Sequence, residues 1–284
     1  MKKLLRTSLF VLLATFSTAC NRTAATDSER VISVSIPPLK FIVSSIVGDD
    51  FVIETLLPSG VAPESYSPTV TQLLNLEDSE LLFTTGLLDF EQQAFAKTNY
   101  PNTNIINLCN GMSLISDTAH NHGDTHGNDP HVWMSPVRLK EMAASVYEAL
   151  QAKFPDSVGY QAAYAKLIER IDSIHMVVQN NINRSNNHAF IVYHPALSYF
   201  AEDYGLTQLA IENDGKEPSA AHLRDVVQTA LDNDIQVILY QSEFPLSFIK
   251  TVARDTGAVP VEFNPLSEDI LTEILNVSKI ISGQ

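Results

Sequence analysis

Cysteine is nearly missing from this 284-residue chain: there are two, Cys20 and Cys109. Cys20 directly follows the N-terminal leader at the start of a polar tether, so the folded body of the chain holds Cys109 alone and can form no internal disulfide. A body of roughly 250 residues needs none, because it buries enough apolar surface to be stable without covalent staples. Basic residues are also scarce, 18 against 33 acidic ones. Such a balance excludes nucleic acid and anionic lipid surfaces as electrostatic partners and favours cationic ones. Beyond the leader, no run approaches eighteen consecutive apolar residues, so no other segment is expected to span a membrane. The motifs of common enzymes are missing as well. There is no glycine-rich phosphate loop, no His-Glu-x-x-His pair and no Gly-x-Ser-x-Gly elbow.

The chain begins with a recognisable leader. Lys2, Lys3 and Arg6 precede a short apolar core, and Ser17, Thr18 and Ala19 run up to Cys20. That layout predicts a secretory signal over residues 1–19, with Cys20 placed as in a bacterial lipobox, where it would be lipidated and become the new N-terminus. Ser17 departs from the usual leucine. Removal of the leader leaves 15 basic against 33 acidic residues, a formal charge of about −18. Residues 20–30 are polar, lack an apolar period and read as a tether.

From residue 31 onward, short β-branched runs alternate with amphipathic stretches, the pattern of βα units around a parallel sheet. Strands are expected at 31–36, 51–57, 80–85 and 104–108, with helices between them at 69–77 and 89–97. The scheme repeats with strands at 189–193, 208–211, 235–240 and 259–263 and helices at 196–204, 219–233, 246–256 and 270–281. Between the halves, residues 157–184 contain no proline and carry apolar residues at helix-face spacing, with Pro155-Asp156 as the expected start. A helix of that length would extend roughly 40 Å. The predicted fold class is therefore α/β: two βα lobes, each with a mostly parallel four-stranded sheet, joined by a long linking helix. The lobes are expected at 31–137 and 188–284, with 138–187 helical.

Ligands of open βα sheets collect at the carboxyl ends of strands. Four such loops offer a nitrogen or oxygen donor beside a proline, two from each lobe: 60–68, 129–136, 192–196 and 262–266. Proline next to a donor fixes the loop backbone and preorganises a metal site. Four of the eight histidines lie within His120–Trp133, HNHGDTHGNDPHVW. His131 belongs to the compact Asp-Pro-His-x-Trp motif and reads as a ligand. His120, His122 and His126 lie in a segment (118–129) rich in Gly, Asp, Asn and Thr that reads as a weak metal-collecting loop. Trp133 is expected in the cleft wall and Cys109 as a buried apolar residue.

Six runs in order, GVAPESYSP, NDPHVWMSP, IVYHPALSYFAEDYGL, ENDGKEPSA, QSEFP and ARDTGAVPVEFNPL, cover nearly the whole body. In them the chain resembles the solute-binding lipoproteins of zinc/manganese ABC importers. The resemblance implies two lobes joined by a long helix and a metal in the interlobe cleft, with Glu64, His131, His194 and Asn264 at the ligand positions. Glu64 stands where the family has His, and Asn264 where it has a carboxylate. Glu243 is expected as a supporting acceptor or alternative ligand, and Glu217 as a supporting group or helix cap. Zn(II) is the implied cargo, since the family's manganese proteins carry Glu at the position of His194; Mn(II) is second. The implied role is an exported, membrane-anchored (periplasmic if Gram-negative), non-enzymatic monomer that hands its ion to a permease and its ATPase. Two readings from other classes are a zinc-dependent hydrolase with Glu64 as general base and a metal-binding adhesin.

Overall fold

A computed structural model describes residues 30–96, 104–116, 127–213 and 216–284. The leader with Cys20, and His120, His122 and His126, lie outside the described residues.

The first lobe runs β1 (Val31–Val34), α1 (Pro37–Val47), β2 (Val52–Thr55), α2 (Val70–Asn75), β3 (Leu81–Thr84), α3 (Asp89–Ala96) and β4 (Asn104–Asn107). Two helices follow, α4 (Pro136–Lys153) and α5 (Tyr160–Arg184). The second lobe runs β5 (Ala189–Val192), α6 (Ser198–Tyr204), β6 (Thr207–Ala210), α7 (Ala220–Asp232), β7 (Val237–Tyr240), α8 (Leu246–Thr256), β8 (Val259–Glu262) and α9 (Ile270–Ser282). Each lobe holds one four-stranded parallel sheet, ordered β2-β1-β3-β4 and β6-β5-β7-β8. Both sheets therefore reverse their strand order beside the first strand of the lobe, which creates a crevice at the strands' carboxyl ends. Central strands β1, β3, β5 and β7 are almost wholly buried, whereas edge strands β2, β4 and β8 are largely exposed.

The helices begin where local chemistry satisfies their first N–H groups. Thr69 and Gln72 form a reciprocal capping box at α2, Ser135 caps α4 by accepting from the Arg138 N–H, and Ser219 caps α7; a free N-terminus would leave those donors without partners. The linking helix starts later than expected. Gly159, at φ +101°, takes a left-handed conformation that breaks the run from Pro155-Asp156, and the helix begins at Tyr160. Its 25 residues still reach roughly 37 Å.

One hydrophobic core passes through both lobes. Leu167, Ile171, Val178 and Ile182 of α5 pack in the same buried cluster as Ile42 of α1, Met142 of α4 and Ile274, Val277 and Ile281 of α9. A second, smaller cluster covers the far face of the second sheet, around Ile191, Ile238, Ile249 and Val252. Polar ties reinforce the seam: the Asp203 carboxylate accepts from Ser135 at 2.5 Å and from Arg138 at 3.2 Å, and Lys40 pairs with Glu268. No helix among the described residues is long and apolar enough to cross a membrane.

Candidate metal centre

Three loops converge at the seam between the lobes. From the first lobe, Ala62 is extended and Pro63 opens a 3-10 turn, Pro63–Ser65, that carries Glu64. This loop is tied back to the end of β2, where the Leu56 carbonyl accepts from Tyr66 Oη at 2.7 Å and from Gln72 Nε2 at 3.1 Å. Glu64 itself stays 40% exposed at the rim.

His131 comes from the segment leading into α4. Asp129 Oδ1 accepts from the His131 backbone N–H at 2.8 Å and from its Nδ1 at 2.9 Å, so one carboxylate fixes both the backbone and the ring. Asp129 is in turn held from the second lobe, because Tyr199 Oη donates to its carbonyl at 2.8 Å and accepts from the Ile115 N–H at 3.2 Å. Trp133 lies edge-on to His131 with ring centroids 5.3 Å apart, and its indole N–H donates to the Pro265 carbonyl at 2.8 Å. It is fully buried and lines the cleft, as its place in the motif implied.

His194 follows β5, and sheet register places its neighbours. Val192 pairs with Ala210 of β6 and with Leu239 of β7. Two residues further, the same registers set His194 beside Glu212 and Gln241. The contacts agree: Nδ1 of His194 donates to Glu212 Oε2 at 3.1 Å, and Gln241 Nε2 donates to the His194 carbonyl at 3.3 Å. Phe244 stacks on the other face of the imidazole at 5.2 Å and 18°.

With Nδ1 of each ring committed to a carboxylate, both Nε2 atoms face the cleft, the arrangement that orients metal-binding histidines. The His194 and His131 Nε2 atoms are 3.4 Å apart, and Glu64 Oε1 lies 3.3 Å from His194 Nε2. All three donors fall within 4.8 Å of one another. The surrounding carboxylates favour a proton on His194. Burial disfavours a charged imidazole, but hydrogen bonds and charge from Glu212 and Glu64 outweigh it and push His194 up to about 10. Burial likewise opposes the Glu64 charge, and the His194 contact overcomes it, bringing that carboxyl down to about 2. Asp129 follows the same logic: burial raises it, His131 outweighs that, and its carboxyl ends below the usual range.

The structure thus brings Glu64, His131 and His194 together. It does not bring Asn264 to them. The Asn264 side chain is turned onto its own loop, where Oδ1 accepts from the Leu266 N–H at 2.9 Å while its backbone N–H donates to Glu273 at 2.8 Å. Its neighbours Pro265 and Leu266 line the cleft instead. Glu243 lines the cleft mouth, exposed and outside the three-donor cluster. Glu217 is exposed and does not line the cleft, and the α7 cap is Ser219 rather than Glu217. Cys109 is buried in the first lobe. Asp129 and Glu212 are the supporting groups that sequence reasoning did not single out. A carboxylate two residues before a candidate ligand, and another just past the end of a strand, were the available signals.

The model of the ZnuA family, described as zinc-uptake complex component A, periplasmic, matches residues 32–273. Among curated proteins, the zinc-binding lipoprotein AdcA of Streptococcus pneumoniae is 27% identical over 277 residues, covering 92% of this chain and 54% of that protein. The high-affinity zinc uptake system protein ZnuA of Bacillus subtilis is 25% identical over 280 residues, covering 91% and 88%. The chain therefore spans about half the length of the streptococcal relative and most of the Bacillus one. A crystal structure of ZnuA superposes with a TM-score of 0.84 at 29% identity, covering 90% of this chain and 98% of that one.

Proposed function

This chain belongs to the ZnuA family, and from that premise and the geometry of the cleft we propose that it captures Zn(II) between its lobes and delivers it to an ABC permease. The observation that carries the reading is a pair of distances. Two donors each 2.0–2.1 Å from one tetrahedral zinc stand about 3.3 Å apart. The His131–His194 nitrogens are 3.4 Å apart and the His194–Glu64 pair 3.3 Å. Two of the three donor–donor edges already match a zinc tetrahedron and the third lies within 4.8 Å, so the cluster is largely preorganised for binding. Two imidazoles and one carboxylate also form a donor set softer than the all-oxygen shells that manganese favours.

Glu64, His131 and His194 are the proposed ligands. Asp129 and Glu212 hold the imidazoles in the ligating tautomer, a job whose loss elsewhere weakens metal binding by about 10–100-fold. Asn264 supports the loop that closes the cleft rather than the ion. His120, His122 and His126 collect zinc weakly ahead of the cleft. Export through residues 1–19, anchoring at Cys20 through the 20–30 tether, and action as a monomer complete the proposal. An enzymatic role loses its base, since Glu64 stands within the donor cluster. The cleft, at about 300 Å³ including its open mouth, lies at the small end of sites for organic ligands.

Calorimetric titration of chelator-stripped protein tests the reading. One zinc per chain, bound far more tightly than manganese, is expected. Absence of a stoichiometric zinc site, or tighter binding of manganese, overturns it.

A further inference from the structure

Among the described residues, Gln241 is the one buried polar side chain at the cleft with an uncommitted atom. It is 2% exposed, lines the cleft beside His194, and its Oε1 has no hydrogen-bond partner among the described residues. Its orientation is set: Nε2 donates to the His194 carbonyl, and a flipped amide would turn oxygen against oxygen. A buried acceptor left without a donor is destabilising, so such atoms mark places where a ligand or its water belongs. Ser35 and Thr55 also carry partnerless buried hydroxyls, but neither lines the cleft.

The cluster itself supplies three donors, whereas zinc takes four. Asn264, the fourth position implied by the family pattern, already spends its side-chain oxygen on the Leu266 N–H. Zinc's usual protein donors are thiolate, imidazole and carboxylate rather than amide oxygen, so the uncommitted Gln241 oxygen is better matched by a group with a proton to give. Water on the ion is such a donor, since a bound cation makes its hydrogens stronger donors.

We infer that the fourth ligand of the captured ion is a water molecule, and that Gln241 Oε1 accepts a hydrogen bond from it. Gln241 is then a positioning residue for an exchangeable ligand. It holds the fourth corner of the tetrahedron in place without closing it with a protein side chain. The ion is retained by three protein bonds and one labile one, which suits a carrier that must release its load. This inference rests on the zinc-capture reading, and its test separates the two.

Zinc affinity would be measured by chelator competition for the wild type, Gln241→Leu and Gln241→Glu, with the visible spectrum of each Co(II) form recorded alongside. Gln241→Leu removes the acceptor and the donor together and is expected to weaken zinc by about 10–100-fold and to shift the Co(II) bands. Gln241→Glu keeps an acceptor but loses the donor to the His194 carbonyl. It is expected to hold zinc within about tenfold of the wild type or tighter. If Gln241 acts only by bracing His194 through Nε2, Gln241→Glu will be as weak as Gln241→Leu, and the inference fails. Gln241→Leu within a few-fold of wild type, with unchanged Co(II) bands, also overturns it. A wild type that binds no stoichiometric zinc removes the zinc reading itself, and this inference with it.

Discussion

The two imidazoles and the carboxylate of the site are held in different ways. His131 and His194 are about 3% exposed, and each donates Nδ1 to a buried carboxylate from its own lobe, Asp129 or Glu212. Their rings cannot turn without breaking those bonds. Glu64 sits on a three-residue turn at the rim, 40% exposed, with its carboxylate in contact with His194. The pair is a rigid half-site spanning the seam, and Glu64 is the third donor at its rim. Preorganised donors lose little entropy on binding; a half-exposed rim carboxylate held by fewer contacts loses more. The half-site should therefore dominate affinity, and Glu64 should tune which ion is chosen.

Replacing either imidazole is the most severe way to break this contrast. His131→Ala or His194→Ala should abolish tight zinc binding in calorimetry, because two donors cannot make a stable zinc site. Glu64→Ala comes next. It should weaken zinc by more than the roughly 10–100-fold seen on losing a supporting partner. Glu64→His should largely restore zinc and widen its margin over manganese, imidazole being the softer donor. A change of only a few-fold in Glu64→Ala would remove Glu64 from the donor set.

Acidity probes the same contrast through the proton that the surrounding carboxylates favour on His194. His194 is raised to about 10, so below that pH the ion-free imidazole carries a proton that zinc must expel. Zinc affinity should then rise about tenfold per pH unit between pH 6 and 8, and calorimetry in buffers of different ionisation enthalpy should find about one proton released. For the ion-free protein the same shift adds stability that is present in full below the unfolded value near 6.5 and lost as pH rises through about 10. A pH-independent zinc affinity would show that the His194 imidazole is already neutral.

Smaller effects sharpen the picture. Glu212→Gln and Asp129→Asn should each weaken zinc by about 10–100-fold, similarly, since both groups do the same job. Asn264→Ala should change zinc affinity by only a few-fold, because Oδ1 serves the Leu266 N–H. A large loss there would mean that the loop rearranges to offer Asn264 on metal entry.

How far the fold can be read from sequence depends on whether the governing contacts are local. All eight strands lie where β-branched runs placed them, within three residues at their ends, since buried parallel strands are near-continuous apolar runs. The linking helix was legible in its apolar spacing but not in its start, because the conformation of Gly159 decides that boundary. Glu64, His131 and His194 could be named through the order of the motifs. Glu212 and Gln241 could not, because they meet His194 only through the registers of β6 and β7 on either side of β5. Asn264 shows the opposite failure. Its position in the motif was right, but an amide that can satisfy a backbone N–H two residues on competes with any outside ligand.

The continuous core along α5 restricts how this protein can announce that it is loaded. Swinging the lobes apart like the halves of a clam would expose that shared interior to water, so full and empty molecules are expected to keep nearly the same silhouette. What changes on loading is the electrical face of the cleft. A divalent ion enters and about one proton leaves, so the mouth that carries the exposed Glu243 becomes more positive by about one charge. A receptor scanning otherwise identical outlines would have to read that difference in charge, and sensitivity of the docking step to ionic strength would be its signature.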